Sequence, residues 1–167
     1  MLAAMAFGLL SSLAPHATAG TSQIPTVFFV SKSQNRNEVH YSMDVNGECR
    51  PSASAPVHPY WLMREKGPGV TEPLLKKECA AYGIKEQQVD GTTVRMQLTA
   101  LPSREIYVQT SPTSGGACNS VVTTVIAGSR ARLYNIHVYT ASLGAVDYIL
   151  LTGWRDDGTL VRERIKP

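Results

Sequence analysis

Residues Glu38–Val45, EVHYSMDV, alternate without a break. Val39, Tyr41, Met43 and Val45 fall on one side, and Glu38, His40, Ser42 and Asp44 on the other. A period of two belongs to a strand with one buried face, and no helix can use it. Related runs recur along the chain. Thr26–Val30 is β-branched and aromatic behind a short lead-in, TSQIP. Val57–Glu65 returns to extended structure with Tyr60 and Trp61. Thr92–Thr99 sets Val94, Met96 and Leu98 against Arg95 and Gln97, and Ile106 with Val108 marks another strand. Val121–Ala127, Leu133–Thr140 and Val146–Trp154 follow, and Asp157-Gly158 predicts a hairpin into a charged last strand suited to a sheet edge.

Only Glu72–Tyr82 reads as a helix. Thr71 stands at the cap, Pro73 in the first turn and Gly83 at a left-handed stop, with Leu75, Cys79 and Tyr82 as the inner stripe. The spacing therefore predicts a mainly β fold: an antiparallel β-sandwich or small barrel of about eight strands with one packed α-helix.

The first 19 residues carry no charge and hold an apolar core, Leu2–Leu13, too short for a lasting bilayer helix. Ala17-Thr18-Ala19 is the small-x-small pattern of a signal cleavage site. Residues 1–19 are read as a secretory signal peptide and residues 20–167 as a single β-rich domain, placing the protein in the periplasm or outside the cell. No other apolar run approaches membrane-spanning length, so no integral membrane span is expected. The net charge of +3 comes from scattered residues and points away from nucleic acid.

Three cysteines enter an oxidising compartment under this reading. Cys79 sits on the inner stripe of the predicted helix, as a buried thiol would. Cys49 and Cys118 lie in loop-like segments, NGECRPS and SGGACNS, and are the favoured disulfide, although spacing alone does not fix connectivity.

The densest polar segment is Gln34-Asn35-Arg36-Asn37. Asn suits a strand reversal, because it tolerates left-handed φ and bonds its own backbone two residues on. A turn explains the amides. It does not explain Lys32 and Arg36, whose fixed donors suit a sugar, carboxylate or phosphate. The candidate ligand contacts are Lys32, Asn35, Arg36, Asn37 and Trp61, with core packing as the ordinary role of a tryptophan beside a tyrosine. On Leu133–Thr140, Tyr134, Ile136 and Val138 are read as one face, and Asn135, His137 and Tyr139 as the other, which faces solvent unless the sheet closes on a cavity.

Cys118 behind Gly115-Gly116 is the best candidate nucleophile, with His137 as its base. That pair defines the alternative reading, a cysteine-dependent hydrolase or transferase. No Gly-x-Ser-x-Gly is present, and His40, His58 and His137 form no pair at ligand spacing. Neither a metal nor a cofactor is expected.

FFVSKSQNRNEVHY resembles the opening of the domain-of-unknown-function 4833 family through Lys32, Ser33, Asn35, Asn37, Val39 and Tyr41. Pro56, Val57, Tyr60 and Trp61, then Ala81, Tyr82 and Gly83, extend the likeness. The resemblance implies export and a single β-rich domain and transfers no activity. The leading functional expectation is a non-enzymatic binding or interaction module of the cell envelope, whose partner is a glycan, a small molecule or a protein.

Overall fold

The computed structural model describes residues 22–52, 54–141 and 145–166. The expected signal segment and its cleavage point lie outside the described residues.

Eleven strands form one large mixed sheet among the described residues. They are β1 (Ser22–Lys32), β2 (Asn35–Val45), β3 (Val57–Leu62), β4 (Thr71–Pro73), β5 (Ile84–Gln88), β6 (Thr93–Leu98), β7 (Leu101–Pro112), β8 (Cys118–Ile126), β9 (Ser129–Thr140), β10 (Val146–Trp154) and β11 (Leu160–Ile165). The sheet runs β4-β3-β2-β1-β9-β8-β7-β6-β5, and β10 branches from β9 and carries β11 as an edge. The β1–β9 pairing is parallel, from Val30↔Ile136 to Lys32↔Val138, and the others are antiparallel. The mainly β class is as expected. The sheet is not closed, it is mixed rather than purely antiparallel, and it holds more strands than the alternation marked.

The alternating residues are the core. Val39, Tyr41, Met43, Val45, Val94, Met96, Ile106 and Val108 are buried in one cluster with Phe28, Val30, Ile136 and Leu151. Members of that cluster stand far apart in strand order, so the sheet must curl for them to meet. Side chains tie the two ends directly. Tyr41 Oη donates to the carbonyl of Tyr82 at 2.8 Å, and the Val57 N–H donates to Glu86 at 3.3 Å. Thr110 Oγ1 donates to the carbonyl of Cys49 at 2.5 Å. Tyr41 also stacks on Phe28 at 4.3 Å, and burial pushes its phenol far above the ordinary range. Tyr41→Phe keeps the stacking and orphans a buried carbonyl, so it is expected to lose about 1 kcal/mol. Urea unfolding checks this as a lower midpoint at unchanged slope.

The predicted helix is corrected. Only Cys79–Tyr82 is helical, a single turn labelled α1, and Thr71–Pro73 is an edge strand paired with Tyr60–Leu62. Leu75 is 56% exposed and Cys79 is exposed, so the expected inner stripe is not buried. Eleven residues of helical pattern are marginal without a surface to pack on, and Pro73 is tolerated where no ladder hydrogen bond is needed. Gly83 is extended (φ −62°) rather than left-handed. It must be glycine for another reason, since a Cβ there would lie 2.4 Å from the Cys79 carbonyl oxygen.

Three local readings also change. β1 begins at Ser22, taking in the lead-in, with a register shift between Ile24 and Phe28 that accommodates Pro25. After β2 the positive φ falls on Cys49 (+60°), not on Asn46-Gly47. Asn46 shapes that turn through its Oδ1, which accepts from the N–H groups of Glu48 (2.9 Å) and Arg50 (3.0 Å). Asp157-Gly158 is as expected, with Gly158 at φ +81° and Arg155 N–H bonded to Thr159.

Candidate functional site

β1 and β2 are joined by Ser33-Gln34, so Lys32 faces Asn35 across the hairpin mouth. The turn reading of the amides holds for Asn35, whose Oδ1 accepts the Asn37 N–H at 3.1 Å. Strand geometry then separates the candidates. Asn37 continues on the side of Val39, while Arg36 is exposed on the other side, where its own N–H donates to Glu65 at 3.2 Å. Val39 pairs with Trp61 on β3, which brings Trp61 beside the same mouth.

Lys32, Asn37 and Trp61 thus meet in one cleft of about 320 Å³, completed by Met63, Glu72, Pro73, Leu75 and Glu78. Asn35 and Arg36 do not line it. The misread helix matters here: the Glu72–Glu78 segment, in leaving β4 for α1, forms the outer wall.

Trp61 is buried and is the floor of the cleft rather than a free platform. Lys32 Nζ lies 4.7 Å from the centre of its ring, and Tyr82 meets it edge-on at 5.3 Å. Its Nε1 donates to Glu78 at 3.0 Å, and the same carboxylate accepts the Leu75 N–H at 2.7 Å. Those two bonds, that from Trp61 the larger, hold the Glu78 carboxyl below its ordinary range. Glu72 is paired with Lys66.

Asn37 is only 8% exposed. Its Oδ1 accepts the Glu65 N–H at 3.1 Å, and its Nδ2 has no hydrogen-bond partner among the described residues. Lys32 likewise has no ion-pair partner there. The open amide of a nearly buried Asn37 and an ammonium therefore line one polar-rimmed space whose remaining lining, Met63, Pro73 and Leu75, is apolar.

Cys118 is bonded to Cys49, as favoured from the sequence, so it offers no thiolate. His137 lies on the β9 face turned away from the core, where Ser31 Oγ sits 2.7 Å from its Nδ1. Burial pushes the His137 pKa down. Beside it the expected pairing of faces fails at one residue. Leu133 pairs with Gly153 and Asn135 with Thr152, so Tyr134 is an extra residue that joins the side of Asn135 and His137. Gly153 permits that crossing, because a Cβ there would lie 2.4 Å from the Arg132 carbonyl oxygen. The sequence carried no sign of this bulge beyond the glycine itself.

Among the described residues no helix is long and apolar enough to cross a membrane. Residues 28–164 match a family model described as a domain of unknown function, DUF4833. No curated protein and no solved structure matches the chain.

Proposed function

The chain belongs to the DUF4833 family, and from that premise, which brings no activity with it, we propose a non-enzymatic binding module of the cell envelope that holds a glycan in the Lys32–Asn37–Trp61 cleft. The observation that carries this reading is Asn37: more than nine-tenths buried, one amide atom fixed by the backbone and the other without a partner among the described residues. An amide donor left open at a cleft, on a residue otherwise held by the fold, is available to a ligand. Its donor and the Lys32 ammonium both suit acceptor oxygens, and the apolar wall of Met63, Pro73 and Leu75 suits an acetamido methyl. An N-acetylated amino sugar presents that combination. Export is supported by the Cys49–Cys118 bridge, which persists in an oxidising compartment.

The test is titration of the protein with N-acetylglucosamine oligomers, read by calorimetry. Asn37→Asp keeps the Oδ1 that holds Glu65 and removes the free donor, so affinity is expected to fall about tenfold, the worth of one directed hydrogen bond. Lys32→Ala is expected to weaken binding by a similar factor. Unchanged affinity in both variants, each still folded, removes the reading.

A further inference from the structure

On the sheet face turned away from the core, a depression of about 440 Å³ opens between Tyr134, Asn135 and His137 of β9, Leu150 and Thr152 of β10, and Arg162 of β11. It is built on different strands from the cleft above, and its volume falls within the range of small-molecule sites. The β9 bulge gives it its most unusual member. Tyr134 is 59% exposed, and Phe29 meets its ring at 6.1 Å and 76°. A bulge re-aims a side chain, here placing an aromatic face among polar groups.

The polar atoms around it are held and yet open. His137 is fixed by Ser31 through Nδ1 and by the Tyr139 ring at 4.4 Å, while its Nε2 has no partner among the described residues. The Arg162 guanidinium has neither ion pair nor hydrogen bond there, whereas Arg132 and Arg164 nearby are paired with Asp156 and Asp147. Thr152 Oγ1 is also without a partner among the described residues. No carboxylate lines the depression. Burial disfavours the charged imidazole, so His137 is neutral near pH 7 and offers one ring nitrogen to a hydroxyl. The single formal positive charge is then Arg162, whose planar fork matches a carboxylate.

We propose that this depression binds an acidic saccharide, with the sugar ring on Tyr134, its carboxylate on Arg162 and its hydroxyls at His137 Nε2 and Thr152. Two sources share that chemistry: a uronate polymer, and the lactyl-bearing amino sugar of a peptidoglycan strand. Titration of the full chain with trigalacturonate, with N-acetylmuramic acid, and with the methyl ester of each separates them. At least one acid is expected to bind, with its ester weaker by about tenfold. Arg162→Ala and Tyr134→Ala are each expected to weaken the acid by a similar factor, while Tyr134→Phe, which keeps the ring, leaves it unchanged, and Lys32→Ala leaves trigalacturonate, which carries no acetamido group, unchanged. Failure of both acids to bind overturns the proposal. So does an ester that binds as well as its acid, or a loss of trigalacturonate binding that follows Lys32→Ala instead. Because Tyr134 and Arg162 are exposed, their variants are expected to fold, and an unfolded Tyr134→Ala leaves Arg162→Ala and the ester comparison to decide.

Discussion

Replacing Cys49 and Cys118 together by serine is expected to remove about 4 kcal/mol of folding stability, the entropy of an unfolded chain released from a loop of this length. The bridge spans 69 positions, and the two cysteines join the loop after β2 to the start of β8. Those elements are remote in the sheet order, so the bridge clasps parts of the curled sheet that no ladder connects. Local geometry gives little reason for further loss. The Asn46 side chain still organises the turn, and the Cys49 carbonyl still accepts from Thr110. The effect should therefore appear as a lower urea midpoint with the sheet signal intact before unfolding. A domain of this size has a total stability of only about 5–15 kcal/mol, so the double variant loses a large share of it. A shift under about 1 kcal/mol would mean that the clasp is redundant with the packing beneath it.

The second large effect is expected at Glu163. One carboxylate oxygen accepts from Arg104 at 2.6 Å and the other from the Ala127 N–H at 2.7 Å. Arg104 also donates to the Val125 carbonyl at 2.6 Å, and its buried Nε has no partner among the described residues. Ala127 and Gly128 both have positive φ, +49° and +76°, and form the reversal between β8 and β9. That conformation is costly for alanine, and Glu163 holds it from β11. Glu163→Ala leaves a largely buried guanidinium without its charge partner and frees a strained turn, so a loss of about 3 kcal/mol is expected. Glu163→Gln keeps one contact and should lose less. If the alanine variant matches the parent in urea, the pair is a surface contact and the β11 edge is held by its ladder alone.

The strands and their inner faces were legible in the sequence because the signal is local. Side chains two apart share a face whatever the rest of the chain does, and Val39, Tyr41, Met43 and Val45 are all fully buried. The hairpin at Asp157-Gly158 was legible for the same reason. The Lys32–Trp61 cleft was half legible: β1, β2 and β3 are consecutive and neighbouring, so residues read as one polar segment arrive at one edge. What alternation did not convey there is that Asn37 lines the cleft while Arg36 lies on the opposite side of β2. The helix over Glu72–Tyr82 was misread because caps and spacing describe a helix only where a surface exists to receive its stripe. In the folded chain Thr71–Pro73 found the β3 edge first.

Other features depend on contacts that no local pattern encodes. Ser31 and His137 meet through a parallel pairing of strands about a hundred residues apart, and Arg162 reaches the same depression only because β11 folds back on β10. The bulge at Tyr134 follows from fitting β9 to β10 around Gly153, a demand of backbone proximity rather than of composition. By itself, then, the sequence determined that this chain forms two-sided strands, which residues most of them bury, and which two cysteines were best placed to join. Tertiary structure alone decided the strand order, the open mixed sheet and both candidate binding surfaces. The physical reason is range: side-chain alternation is set by neighbours along the backbone, whereas a site is set by strands that become neighbours only after the chain has folded.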